Sequence, residues 1–182
     1  FDPSDIELMI EDIEQAKRAQ LDGVVIGVLT AQGDIDMPAC QRLIQAAGSL
    51  GVTFHRAFDQ CRHPEKALED VINLGCERIL TSGLAATAEQ GIEQLRALHQ
   101  QAKGRIEIMA GAGVHAGNVK QIIAQTQIKE VHLSGKSTRP SLMQVKTDSA
   151  KMGAADIDDF QIPVTSPELI SQVVKVLNPS IN

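Results

Sequence analysis

The 182 residues contain no Trp and no Tyr, and the aromatic count rests on four Phe. That absence excludes an aromatic platform on which unpaired nucleotide bases stack. A basic face is also wanting, since the formal net charge is −6, and a nucleic-acid partner is not expected. No apolar run approaches the roughly 18 residues of a membrane span, so no membrane partner is expected. The opening Phe1-Asp2-Pro3-Ser4-Asp5 is acidic, without the basic and apolar regions of a secretory signal. Only three cysteines occur, Cys40, Cys61 and Cys76, and no pair has C-x-x-C spacing. A zinc ribbon and a thioredoxin-type site are thereby excluded, and a reduced, cytoplasmic setting is expected.

What is present is a recurring unit: an apolar run closed by polar residues or glycine, followed by a helix-like stretch. The runs are Val24–Leu29, Val52–Phe58, Arg78–Ser82, Ile106–Ala110 and Glu130–Ser134. Their spacing of about 24–28 residues is roughly one-eighth of a β/α barrel. Helices are expected over 4–20, 38–47, 64–74, 88–102 and 118–125, with Ser4-Asp5-Ile6-Glu7 as the first capping box. A long loop is expected over 135–164, then a helix opened by Ser166-Pro167-Glu168. The expected fold class is α/β, a TIM-type (β/α)8 barrel lacking its first three strands, because a closed barrel needs eight strands and about 250 residues. The expected domain is single, 1–182, with strand–helix units over 1–134 and a C-terminal loop and helix over 135–182. A five-stranded, doubly wound open sheet is the alternative, but no Gly-rich fingerprint follows the first strand. Gly135-Lys136-Ser137 is not a P-loop ending, since Glu130 stands where its first glycine belongs.

Such folds keep their chemistry where the strands end. Alternation sends Val52 and Phe54 toward helices, and Thr53 and His55 to the interior. The same rule sends Glu107 and Met109, and His132 and Ser134, inward. His55, Glu107 and His132 are therefore the candidate catalytic residues, with a His as general acid or base and Glu107 tuning it. Their alternative is a hydrogen-bonded core network. Arg56 and Asp59 sit past a strand end, where they either grip an anion or pair with each other. Thr81 and Ser82, Gly111 and Gly113 of the Gly111-Ala112-Gly113 loop, and Ser134 complete the expected substrate-binding set. The Gly loop could present backbone N–H groups to phosphate, or serve only a tight turn. Copper(I) favours soft Cys and Met ligands, which makes Cys61 and Met109 the metal candidates. Neither forms a convincing cage with its sequence neighbours.

The block Val52-Thr53-Phe54-His55-Arg56-Ala57-Phe58-Asp59 resembles the CutC family of copper homeostasis proteins. Asp22–Thr30, Arg78–Gly83, Ile108–Val114 and Glu130–Ser134 resemble it too. The resemblance implies a cytoplasmic, dimeric β/α barrel with a copper(I)-linked role. It also implies that the family's suspected copper cysteines lie on earlier strands, and that Cys40, Cys61 and Cys76 are not their equivalents. The competing expectation is an enzyme acting on a small anionic or phosphorylated substrate at the C-terminal barrel face.

Overall fold

The computed structural model describes residues 1–145, 154 and 157–180. They group into two compact units, Phe1–His132 and Leu133–Asn182.

The first unit opens with helix α1, Pro3–Arg18. Asp2 caps it, rather than the expected Ser4. The Asp2 carboxylate accepts from the Ser4 and Asp5 amides, and the Asp5 carboxylate accepts from the Asp2 N–H. Pro3 suits the first turn because the amide it lacks would have no helical partner. Strand β1 follows, Gly23–Ile26, then α2, Met37–Ala47, and β2, Gly51–Phe54. A short 3-10 helix, Arg56–Gln60, replaces the expected continuation of β2 to Phe58. After it come α3, Pro64–Asn73, β3, Arg78–Thr81, and α4, Ile92–Ala102. Strand β4, Glu107–Ala110, α5, Val119–Thr126, and the two-residue β5, Glu130–Val131, complete the unit.

All five strands are parallel, in the order β1-β2-β3-β4-β5. Every crossover thus advances one strand in the same direction. Right-handed crossovers then place all helices on one face of the sheet, as in a β/α barrel. A doubly wound sheet would reverse order at a switch point, and this one does not. Val52, Phe54, Ile79, Ile108 and Ala110 are buried against the helix layer with Leu43, Leu68, Leu95 and Ile122. The opposite face carries Thr53, Arg78, Leu80, Glu107 and Met109, all half-buried.

In the second unit the expected loop over 135–164 contains two strands. β6, Lys136–Pro140, pairs antiparallel with β7, Gln161–Thr165. Residues 146–153 and 155–156 of that stretch lie outside the described residues. Lys136-Ser137-Thr138-Arg139-Pro140 has no apolar run to announce a strand, and cross-strand pairing supplies the order instead. Helix α6, Pro167–Leu177, is capped by Ser166, whose hydroxyl accepts the Leu169 amide at 3.2 Å. Gly135 has φ +54, and a Cβ there would lie 2.7 Å from Ile170 Cδ1.

Candidate functional site

The C-terminal ends of β2 and β3 meet in one polar network centred on Asp59. The 3-10 turn after β2 carries this carboxylate over the end of β3, where its side chain is only 4% exposed. It accepts from Thr81 Oγ1 and from the Ser82 and Leu84 amides, the latter at 3.0 and 3.2 Å. Arg56 Nε donates to it at 2.7 Å. Burial works against the charge of Asp59, but the bonds from Thr81, Arg56, Ser82 and Leu84 outweigh it and hold the carboxyl below its ordinary range. The Ser82 hydroxyl lies 2.9 Å from Asp59 Oδ2 and 2.6 Å from the Ala85 carbonyl, and accepts from Arg56 Nη2 at 3.0 Å. With one proton it donates to one of those two oxygens at a time.

This arrangement sorts the expected ligand-binding residues. Arg56, Asp59, Thr81 and Ser82 do converge. Thr81 and Ser82 are fully buried, however, and their donors serve Asp59 rather than open space. Gly83 and Leu84, at φ +70 and +59, curl the loop so that its amides face inward. The cradle at the end of β3 therefore already holds an anion, the protein's own carboxylate. Arg56 differs. Its Nε and Nη2 are engaged, its side chain is 44% exposed, and Nη1 has no partner among the described residues.

The Gly loop lies at the neighbouring strand end. Gly111 is buried, and a Cβ on it would come 2.6 Å from Leu80 Cδ1. Ala112 and Gly113 both have positive φ, +75 and +71. Asn118 shapes the loop: its Oδ1 accepts the His115 amide, and its Nδ2 donates to the Gly113 carbonyl, both at 2.9 Å. The sequence places Asn118 only as the start of a helix; an Asn at that start, shortly after Gly-x-Gly, is the signal for its role in shaping the loop.

The three candidate catalytic residues are not brought together. His55 caps the 3-10 turn, its Nδ1 accepting the Ala57 amide at 3.1 Å, and its ring lies against Gly27 beyond β1. Glu107 is the first residue of β4, about 10 Å below the strand ends at 3.3 Å per residue. It belongs to the opposite end of the sheet, beside Arg78 in the strand register. There Arg78 reaches across β4 to grip Glu130 with both Nε and Nη2, the latter at 2.9 Å, while Nη1 meets Thr53 Oγ1 at 3.4 Å. Arg78 holds the Glu130 carboxyl below its ordinary value. His132, expected in the interior, is exposed past β5 with its Cβ near Gly111. The ladder continues one residue past β5, the His132 N–H donating to the Ala110 carbonyl at 2.8 Å, and the His132 Cβ stands on the open face beside Gly111 and Leu80, where strand alternation puts it. Ser134 is exposed in the second unit, lining a shallow cavity of ≈250 Å³ with Lys136 and Pro163–Thr165.

The metal candidates also stand apart. Met109 is on the open face of β4, whereas Cys61 is buried at the end of the 3-10 turn. Burial, with Asp34, Asp59 and Asp70 nearby, pushes the Cys61 thiol up to about 11. A neutral, protonated thiol is a poor metal ligand. Among the described residues no group of three or more His, Cys, Asp or Glu is placed to hold a metal ion.

A model of the CutC family matches residues 1–137. A CutC family protein of Vibrio campbellii is 61% identical over 180 residues, which is 98% of this chain and 73% of that protein. A solved structure of a CutC from Streptococcus agalactiae, assigned by name to copper homeostasis, superposes with a TM-score of 0.70 at 34% identity. It shares 72% of this chain, and the chain spans 65% of it. The fold is shared more widely: an aldolase, QR15, superposes with a TM-score of 0.57 at 20% identity. The β/α architecture, the matched stretch and the high identity agree: this chain belongs to the CutC family.

Proposed function

We propose that this chain binds a small anionic molecule, a phosphate or carboxylate, at the C-terminal ends of β2, β3 and β4. One observation carries the reading: the Arg56 guanidinium is pinned at a strand end by Asp59 and Ser82, with its Nη1 edge left outward. A pre-oriented guanidinium loses little freedom when it meets an oxyanion, and its planar fork matches that geometry. The Gly111–Gly113 loop on the neighbouring strand is the expected second contact. Asp59, Thr81 and Ser82 act as positioning residues that hold Arg56, not as ligand contacts. The test is calorimetric titration with inorganic phosphate of the wild-type chain and of Arg56→Ala. Arg56→Ala is expected to weaken binding at least about tenfold, the worth of one lost charge-assisted contact. Equal affinities would remove Arg56 from the account.

A second reading, direct copper(I) handling with Cys61 and Met109 as ligands, is favoured by the name of the Streptococcus relative. The raised thiol of Cys61 weighs against it. Titration with Cu(I) against a competing chelator tests it: tight binding lost on Cys61→Ser would establish the copper site. A cytoplasmic setting and a homodimer go with the family resemblance, and sedimentation measures the second.

A further inference from the structure

The loop after β4 ties its carbonyls down and leaves its amides free. The Ala112 carbonyl accepts the Ala88 N–H, and the Gly113 carbonyl accepts from Asn118 Nδ2, both at 2.9 Å. These peptides are trans, and in a planar trans peptide the C=O and the following N–H point in opposite directions. The Gly113 and Val114 N–H groups are therefore aimed away from Ala88 and Asn118, the residues leading into α4 and α5. Neither N–H has a partner among the described residues. Val114 is nevertheless only 6% exposed, and an unpaired N–H is costly in such a place. Asn118, itself buried, holds this geometry. The His115 N–H can only meet its Oδ1, so Nδ2 must face the Gly113 carbonyl, with its other proton toward Glu89 Oε2 at 3.3 Å. The side chain thus spans the loop from Gly113 to His115 and sets the plane of the peptide that carries the Val114 N–H. One strand end anchors both this loop and Arg56. The Thr81 carbonyl accepts the Gly111 N–H at 2.9 Å, and the Ser82 hydroxyl accepts from Arg56 Nη2 at 3.0 Å.

We infer that the Gly113 and Val114 N–H groups are donors of the anion site, that Asn118 is the positioning residue that aims them, and that the ligand is a phosphate monoester. The inference rests on the Arg56 reading above. A carboxylate gives both its oxygens to the guanidinium fork and has no third for the loop. A phosphate monoester has three terminal oxygens to divide between the fork and the two amides. Its esterified oxygen then carries the rest of the molecule away from the strand ends.

NMR of the backbone amides and of the Arg56 side chain, on the full chain titrated with methyl phosphate or acetate, tests this. Methyl phosphate is expected to move the Gly113 and Val114 amide protons downfield together with Arg56 Nε–H, and acetate to move Arg56 alone. Val114→Pro deletes one donor and breaks no hydrogen bond among the described residues, and the φ of Val114 is not positive, as proline requires. Asn118→Ala frees the peptide that carries the same donor. Each should weaken methyl phosphate about tenfold, the worth of one charge-assisted bond. Asn118→Ala should also lose the Val114 shift while keeping that of Arg56, which a merely structural role would not separate. Arg56 moving without the two amides, acetate moving all three, or undiminished affinity in a folded variant would overturn the inference and leave the Arg56 reading standing. No shift at Arg56 with either probe would overturn both. Should neither variant fold, the wild-type shifts decide alone.

Discussion

Asp59 shows how one side chain can be read two ways from sequence and one way from geometry. Past a strand end, beside Arg56, it is equally a ligand contact or a partner of that Arg. Its burial and its bonds to Thr81, Ser82 and Leu84 make it the anchor of the β2–β3 ends. Asp59→Asn leaves amide donors facing an amide group and removes the partner of Arg56. It is expected to cost about 2–3 kcal/mol in urea unfolding at pH 7, in the range of hydrogen bonds to a charged group. The pH dependence follows from its lowered pKa. The carboxylate's contribution is complete above the unfolded value, near 4, and is lost as pH falls through the lower folded value. Wild type should therefore lose more stability on acidification than Asp59→Asn does; parallel acid curves would contradict this. The cysteines work in the opposite direction. Burial raises Cys40 and Cys61 to about 11 and Cys76 to about 12. Their contribution is complete below the unfolded thiol value, near 9, and fades as pH climbs toward 11. Replacing all three by Ala should blunt the fall in unfolding free energy measured between pH 8 and pH 10.

At the scale of elements, the loop after β3 is the tightest part of the first unit. A Cβ on Gly91 would stand 1.9 Å from the Ser82 carbonyl oxygen, and one on Gly83 would stand 2.4 Å from the Gly91 carbonyl oxygen. Both neighbours are backbone and cannot swing aside. Gly91→Ala is expected to cost about 1–3 kcal/mol or more by overpacking, read from its urea midpoint. It should also weaken phosphate binding, since Ser82 holds Arg56; unchanged stability would contradict the close packing. Much of this unit was legible in the chain. Apolar stretches such as Val24-Val25-Ile26 and Ile79-Leu80 mark strands, although Val25 on the open face is exposed, and Pro at the start of α3 and Gly75 beyond its end mark that helix. Strand alternation correctly placed Val52 and Phe54 against Glu107 and Met109. It carries to the strand ends, where His55 is still extended before the 3-10 turn and the His132 Cβ stands beside Gly111 on the open face, but it does not say which residues share one end of the sheet. The β6–β7 hairpin was missed although Gln161-Ile162-Pro163-Val164-Thr165 alternates polar and apolar. Proline within that run argues against a central strand, and here it stands in a two-stranded ribbon.

For the whole sheet, length decides which residues can share a site. His55 and Glu107 share a face but not an end, and a strand of four residues separates the ends enough to divide their chemistry. The Arg78–Glu130 pair fastens β3 to β5 over β4, so it belongs to sheet cohesion. Being partly exposed, it is worth little: Glu130→Gln is expected to cost at most about 1 kcal/mol in chemical unfolding, with phosphate affinity unchanged. A large loss of affinity would mean that the lower end of the sheet takes part in binding. The central claim is that anion recognition belongs to the upper end, around Arg56 and the Gly loop. Amide NMR of the full chain titrated with inorganic phosphate tests it most directly. The account predicts shifts confined to Arg56, the Ser82–Leu84 turn and the Gly111–Val114 loop, saturating together. Shifts centred instead on α1, on the Arg78–Glu130 end or on the second unit, or no shifts at all in the folded chain, would contradict it.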